Sequence, residues 1–153
     1  MKNLELKIPP LFLFLITALL MWLTSLYLPS LEIDKQLLLS ISFFLMTIGG
    51  AFALVGVNTF KQSKTTVNPT KPQEASTLVT HGIYKRTRNP MYVGILILLV
   101  AWAVFLSNLY TLILVIAFVL YMNRFQIEVE ERFLALKFSS DFEKYKKNVP
   151  RWL

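Results

Sequence analysis

Three stretches of this chain carry no charged side chain, and their lengths constrain the fold more than any other feature. They cover residues 8–31, 37–60 and 90–123. Because a helix of ~20 apolar residues crosses the ~30 Å hydrocarbon core of a bilayer, each of the first two stretches fits one span. The third stretch, of about 34 residues, fits two such spans with a break at Ser107 and Asn108. The sequence therefore predicts four membrane helices.

The composition agrees with a membrane protein. Apolar residues make up 55% of the 153 residues and the mean hydropathy is +0.54, which leaves too little polar surface to enclose a water-soluble core. The predicted fold is a single all-α integral membrane domain, residues 1–153, with four transmembrane helices, a re-entrant-type cytoplasmic loop and C-terminal amphipathic helices. The predicted segments are the transmembrane helices 8–28, 37–60, 90–106 and 109–127, the loop 61–89 and the cytoplasmic tail 128–153.

Basic residues are concentrated on one side of this predicted topology. They precede the first helix and follow the second and the fourth, whereas Lys35 alone lies on the opposite side. Since cytoplasmic loops carry an excess of Lys and Arg, both termini are predicted to be cytoplasmic. The membrane would be the plasma or inner membrane in a prokaryote and the endoplasmic reticulum in a eukaryote. The net charge of +7 is then explained by orientation and contact with membrane lipids, and no nucleic-acid partner is expected.

Cysteine is absent and His81 is the one histidine of the sequence. Disulfides, thiolate nucleophiles and cysteine-ligated metals are therefore excluded. A single imidazole does not build the multi-histidine sites that zinc or non-haem iron usually need. No metal site is predicted.

Glycines indicate two further features. Gly49, Gly50, Ala53 and Gly56 recur at near-helical spacing in the second apolar stretch, which predicts a face where a neighbouring helix approaches closely. Gly82, in the predicted loop, permits a close backbone approach or a positive φ angle.

A first group of polar residues directly precedes the third apolar stretch. Arg88 and Asn89 stand before Pro90, which suits the first position of a helix, so the free N–H groups and positive dipole end of that helix would favour an anion. Tyr84 and Tyr92 add aromatic faces and hydroxyls that suit a flat ring or a cation. Taken singly, each residue also has an ordinary interpretation, as a cytoplasmic anchor, an interfacial aromatic residue or a helix start.

A second group of charged residues follows the same stretch and comprises Arg124, Glu128, Glu130 and Glu131. An arginine at the inner membrane edge beside carboxylates is costly unless it is paired or used, which favours a functional site. Snorkelling and surface salt bridges are the alternative interpretation. If the third stretch forms a hairpin, both groups lie at one face of the membrane.

The tail combines charged residues with aromatic and aliphatic ones from residue 128 to 147, which predicts a surface helix with its apolar side on the lipid or the bundle. A break is expected near Ser139 and Ser140, where Ser140 and Asp141 resemble the capping signal of a final short helix. Trp152 suits the headgroup zone.

Taken together, the two polar groups resemble those of the integral membrane methyltransferases, the family that includes isoprenylcysteine carboxyl methyltransferase and the phospholipid N-methyltransferases. The resemblance runs from about Leu78 to Val149. It rests on Leu-Val-Thr-His-Gly-Ile-Tyr from residue 78, Arg-Asn-Pro-Met-Tyr-Val-Gly from residue 88, and Arg124, Glu130, Glu131, Leu134, Phe138, Tyr145 and Val149 in order.

The resemblance implies S-adenosylmethionine as cofactor, held between the loop and the C-terminal helices, and a lipidic or small hydrophobic acceptor that enters from the bilayer. It implies that Arg124 orients the acceptor near the methyl group. Many relatives have histidine at the position of Asn89, so a role that requires imidazole is not carried over there. The residues assigned to the cofactor are His81, Gly82, Tyr84, Arg88, Asn89, Pro90, Tyr92 and Glu130.

The chemistry of the acceptor decides which further residues act. A carboxylate is ionised at neutral pH and needs an orienting cation such as Arg124, whereas an amine must first lose a proton, for which Glu130 or Glu131 is suited. The neighbourhood of His81 and the paired glutamates favours the carboxyl methyltransferases, with Arg124 and Glu131 as the predicted catalytic residues. An amine N-methyltransferase is the alternative.

Three other classes of protein are alternatives to a methyltransferase. A nicotinamide-dependent membrane reductase would need extra basic residues for a second phosphate, although related sterol reductases resemble this C-terminal architecture. A small transporter would ordinarily carry an ionisable residue within a span, and the three apolar stretches contain none. A non-catalytic subunit would need neither polar group.

Overall fold

The computed structural model describes residues 5–63 and 75–153, and all regular secondary structure in this part of the chain is helical, with no β-strand. The elements are α1 (Pro10–Tyr27), α2 (Lys35–Gln62), a 3₁₀ turn (Gly82–Lys85), α3 (Pro90–Leu106), α4 (Thr111–Tyr121), a π-helical turn (Met122–Ile127) and α5 (Glu128–Asn148). Part of the predicted re-entrant loop, residues 64–74, lies outside the described residues.

Three of the described helices are long and apolar enough to cross a membrane. They are α1, α2 and the continuous helical stretch Thr111–Asn148, which contains α4, the π turn and α5. The helix α3 is apolar but has 17 residues. The all-helical membrane fold is therefore confirmed, and the four-span count stays a prediction.

Local sequence signals explain where the helices begin and end. Pro10 and Pro90 occupy the first turns of α1 and α3, where a missing N–H costs nothing. The Asp34 side chain caps α2 by accepting a hydrogen bond from the Leu37 amide at 2.8 Å. At the other end of α3, Ser107 adopts a left-handed conformation with φ 49°. The predicted break at Ser107 is thus present.

The helices α2 and α3 pack against each other in antiparallel orientation through small residues. A Cβ atom on Gly94 would lie 2.7 Å from both the Ala53 nitrogen and the Gly49 oxygen, and one on Gly56 would lie 2.8 Å from Met91 Cγ. The predicted packing face of α2 is confirmed for these positions. Gly50 is the exception, because a Cβ atom there would meet no atom within 4 Å.

The helices α1, α3 and α4 enclose the main apolar core. Its buried residues are Met21, Tyr92, Leu99, Ala103, Val115, Phe118, Met122 and Ile127. Polar contacts close one end of this bundle, where Asn108 Nδ2 donates to the Leu28 carbonyl at 3.0 Å and Ser107 Oγ donates to the Leu31 carbonyl at 2.8 Å. At the opposite end, the Leu6 amide donates to the Phe125 carbonyl at 3.1 Å.

The helix α5 bends sharply at Ser139, which has φ 40° and ψ −113°. The predicted break near this residue is therefore present. The bend folds the second half of α5 back onto the first and onto the loop, so that Phe142, Tyr145 and Val149 form a second apolar cluster. Leu78, Leu134, Ala135 and Phe138 pack against this cluster.

Candidate functional site

Both predicted polar groups meet at one end of α3 and α4. The loop cluster consists of Arg88, Asn89, Pro90 and Tyr92 with the preceding 3₁₀ turn. The helix cluster consists of Arg124, Glu128, Glu130 and Glu131. Arg88 Nη2 lies 2.7 Å from Glu131 Oε1, and the Tyr92 hydroxyl donates to Glu130 Oε1 at 2.5 Å. Residues about forty positions apart are thus joined by two direct hydrogen bonds.

The first contact belongs to a group of three charged side chains. Arg151 Nη2 approaches the second carboxylate oxygen of Glu131 at 2.8 Å, so this carboxylate lies between two guanidinium groups. The side chains of Arg88 and Glu131 are 9% and 11% exposed, which makes their pairing strong and its loss costly. Hydrogen bonding to Glu131 raises the pKa of Arg151. Arg88 also donates to the Lys146 and Val149 carbonyls at 2.9 and 2.8 Å.

The second contact is a hydrogen-bond network of neutral donors around a carboxylate. Glu130 Oε1 accepts from the Tyr92 hydroxyl and from Gln126 Nε2, the latter at 2.6 Å. Gln126 is 2% exposed and lies within the π turn. These donors fix the orientation of Glu130 at the end of the bundle where the two clusters meet.

The 3₁₀ turn presents the other predicted loop residues. Gly82 has φ +60°, a positive φ angle of the kind that glycine was predicted to permit here. His81 is exposed. Tyr84 is buried, with its ring centre 5.1 Å from that of Phe60, and burial raises the pKa of its hydroxyl, which therefore stays protonated. Among the described residues this hydroxyl has no hydrogen-bond partner, and neither has Arg88 Nε.

Asn89 and Pro90 begin α3 as expected, but their polar groups bind protein. Asn89 Nδ2 donates to the Arg151 carbonyl at 2.9 Å. The amides of Tyr92 and Val93 both donate to the Asn89 carbonyl, at 3.0 and 2.9 Å. These two amides of the first turn are therefore engaged within the chain rather than offered to an anion.

A surface cleft of about 310 Å³ opens beside the helix cluster. It is lined by Arg124, Glu128, Glu131, Arg132, Ala135, Lys146 and Arg151. Four cationic side chains thus face two carboxylates. Arg124 pairs with Glu128 at 2.9 Å, and both are well exposed, at 57% and 41%, so Arg124 remains accessible to a ligand.

Sequence reasoning missed Asn123, Gln126 and Arg151. Asn123 and Gln126 lie on the π turn, an irregularity that is frequent at functional sites but has no local sequence signal here. Arg151 looked like one more cytoplasmic cation. Trp152 packs against the main core and donates to Asn123 Oδ1 at 3.0 Å, and its place in the headgroup zone stays a prediction.

Comparison with known proteins identifies the family. The model of the phospholipid methyltransferase family matches residues 37–141, which is more than half of the chain and includes both clusters. This chain belongs to the phospholipid methyltransferase family. It is thus a member of a family of membrane methyltransferases, in agreement with the resemblance seen in the sequence.

Individual relatives support the same assignment. Two rice proteins, from the indica and japonica subspecies of Oryza sativa, are each named probable protein-S-isoprenylcysteine O-methyltransferase and are 33% identical over 108 residues. The match covers 69% of this chain and 55% of each rice protein, so the chain spans about half the length of these relatives. An uncharacterized protein of Haemophilus influenzae is 43% identical over 63 residues, which is 41% of this chain and all of that protein. No solved structure matches.

Proposed function

We propose that this protein transfers a methyl group from S-adenosylmethionine to a carboxylate on a lipidic or small hydrophobic acceptor, at the cytoplasmic face of the membrane. The observation that carries the proposal is the meeting of the loop and helix clusters beside a charged cleft at the end of apolar helices. Donor and acceptor differ in polarity, so their meeting requires a polar site within reach of lipid. Membership of a membrane methyltransferase family supports this chemistry.

The residues of the site fit the donor. The amino-acid part of S-adenosylmethionine carries a carboxylate and an ammonium group. Besides Arg124, which is assigned to the acceptor, the cleft offers the guanidinium groups of Arg132 and Arg151 for the first and carboxylates for the second. Its volume of about 310 Å³ lies at the lower end of the ~300–1,000 Å³ typical of ligand pockets. Two buried polar atoms of the loop cluster, the Tyr84 hydroxyl and Arg88 Nε, lack partners among the described residues. When bound, the cofactor supplies an electrophilic methyl group on a sulfonium.

The loop cluster has a supporting role in this proposal. Arg88 holds Glu131, Asn89 holds the Arg151 carbonyl, and Pro90 begins α3. His81 precedes the 3₁₀ turn that contains Gly82 and Tyr84. Tyr92 orients Glu130 through its hydroxyl at 2.5 Å. We propose that these residues bind the donor partly by direct contact and partly by fixing Glu130 and Glu131.

A carboxylate acceptor is proposed because the His81 region and the paired glutamates resemble the carboxyl methyltransferases, and because one candidate base, Glu131, is already engaged by two arginines. Glu131 is held by Arg88 and Arg151, which stabilise its ionised form and weaken it as a base. Glu130 is held by Tyr92 and Gln126. A carboxylate acceptor needs no base, and its approach to the methyl group at ~3–3.5 Å requires only orientation by a cation. Arg124 supplies that cation, and Glu131 is assigned to positioning.

Binding measurements test the donor. Detergent-solubilised protein is titrated calorimetrically with S-adenosylmethionine, S-adenosylhomocysteine and a reduced nicotinamide cofactor. We expect the two adenosyl ligands to bind and Glu130→Ala to weaken them by about tenfold. The exposed Glu143→Ala, outside both clusters and the cleft, is the matched control that leaves affinity unchanged. If only the nicotinamide cofactor bound, the protein would be assigned as a reductase and the proposed methyl transfer would be wrong.

A second assay identifies the acceptor. Membrane lipids are incubated with the protein and methyl-radiolabelled donor, and the product is treated with base. A methyl ester releases radioactive methanol, whereas an N-methyl amine does not. We expect volatile label, and we expect Arg124→Ala to lower turnover while the affinity for S-adenosylhomocysteine stays within about twofold. Base-stable label would assign the protein to the amine N-methyltransferases.

A further inference from the structure

Segment 149–152 runs between the two clusters and contacts both. On the loop side, the Arg88 amide donates to the Pro150 carbonyl at 2.9 Å. Thr87 Oγ1 and Asn89 Nδ2 both donate to the Arg151 carbonyl, at 3.1 and 2.9 Å. Each of these contacts uses a backbone carbonyl oxygen of the segment, so they persist only while the segment is held against the loop.

On the helix side, the same segment binds through its side chains. Arg151 donates from Nε and Nη2 to the two oxygens of Glu131, at 3.2 and 2.8 Å, in the two-pronged geometry that a guanidinium alone provides. Asn123 Oδ1 accepts from Trp152 Nε1 at 3.0 Å and from Arg151 Nη1 at 3.5 Å. The segment therefore connects the loop with α5 and with the π turn.

These contacts give the segment a specific task. Glu131 lines the cleft, and its two oxygens have different partners, since Oε1 is shared by Arg88 and Arg151 while Oε2 pairs with Arg151. Arg88 alone would leave the carboxylate free to rotate. Arg151 removes that freedom and also forms part of the cleft wall.

We infer that segment 149–152 is a clip that sets the spacing of the two clusters, and that Arg151 is the positioning residue through which the clip shapes the donor site. The inference rests on the proposed function for the identity of the ligand. That the clip holds residues 87–89 in place is inferred from the hydrogen bonds alone and does not depend on the ligand.

Hydrogen–deuterium exchange tests the clip without any ligand. The Arg88 amide is protected by the Pro150 carbonyl, so loosening the segment exposes it. We expect Arg151→Ala to speed exchange in residues 87–89 by about tenfold. The control is Lys144→Ala, an exposed position near the end of α5, which should leave this exchange unchanged. Unchanged exchange in Arg151→Ala would overturn the clip.

Affinity for S-adenosylhomocysteine tests the positioning role. We expect Arg151→Ala and Glu131→Gln each to weaken it about tenfold and the double variant to be no weaker than either, because both remove one interaction. Arg151→Lys retains the charge but not the two-pronged contact, so we expect it to restore thermal stability without restoring affinity. If the affinity losses of the two single variants added up in the double variant, or if Arg151→Lys recovered full affinity, Arg151 would contribute only its charge and the inference would be overturned.

The two proposals fail separately. If the parent protein binds neither adenosyl ligand, the proposed function is wrong, whereas the exchange experiment still decides whether the clip exists. If the parent binds S-adenosylhomocysteine and Arg151→Ala binds it equally well, the function stands and the positioning role is wrong.

Discussion

At the scale of single residues, burial separates two arginines that look alike in the sequence. Arg88 and Arg124 both border an apolar stretch and both pair with a glutamate. The Arg88–Glu131 pair is 9% and 11% exposed, whereas the Arg124–Glu128 pair is 57% and 41% exposed. The first pair is a structural component of the site, and the second leaves its guanidinium available to a ligand.

This difference predicts different costs of removal. Arg88→Ala would leave Glu131 with one cation and two backbone carbonyls without their donor, so we expect the free energy of unfolding to fall by about 3 kcal/mol. Arg124→Ala removes a solvent-screened pair and should cost roughly 0–1 kcal/mol. Reversible unfolding in mixed micelles, titrated with dodecyl sulfate, measures both. Equal costs would contradict the assigned burial.

At the scale of secondary-structure elements, the contact between α2 and α3 depends on the absence of side chains. Gly94→Ala would place a Cβ atom 2.7 Å from backbone atoms of Gly49 and Ala53, which cannot move aside as a side chain can. We expect Gly94→Ala to lower the free energy of unfolding by about 1–3 kcal/mol. Gly50→Ala is the matched control, since nothing lies within 4 Å, and it should stabilise α2 by roughly 0.5–1 kcal/mol. Thermal unfolding in detergent compares them, and a stable Gly94→Ala variant would mean that the helices are not in contact there.

The bend in α5 provides a second prediction at this scale. Ser139 has φ 40° and ψ −113°, a conformation that glycine adopts readily and serine does not. We expect Ser139→Gly to raise the free energy of unfolding by up to about 1 kcal/mol. Ser140→Gly, one residue further along the helix, has no such strain to relieve and should not stabilise. If both variants lose stability, the bend is absent in solution.

The elements also show which features a sequence can predict. The bounds of α3, the break at Ser107 and the bend at Ser139 were predictable because proline, serine and the pattern of charge act locally. The π turn was not, because Asn123 and Gln126 are ordinary helix residues. Asn123 binds Trp152, 29 positions away, and Gln126 binds Glu130 on its own helix together with Tyr92, 34 positions away. Arg151 was likewise counted as a cytoplasmic cation, since only the folded chain places it on Glu131.

At the scale of the whole molecule, the polar connections gather at two opposite ends. The turn after α1 contacts the turn after α3 through Leu31 and Ser107. At the other end, Glu5 pairs with Arg132 at 2.6 Å, near the loop cluster, the helix cluster and the clip. Lys and Arg are concentrated at this second end, which supports the proposal that it faces the cytoplasm.

This arrangement predicts which positions a reagent reaches from each side of the membrane. The chain contains no cysteine, so single substitutions can be labelled with a membrane-impermeant maleimide without removing native thiols. In intact cells we expect Glu32→Cys and Leu109→Cys to react, and Lys85→Cys and Lys144→Cys to react only after permeabilisation. If Lys85→Cys and Lys144→Cys were labelled from opposite sides, the 3₁₀ turn and α5 would lie in different compartments. The two clusters would then have no common site, and the proposed methyl transfer would fail with it.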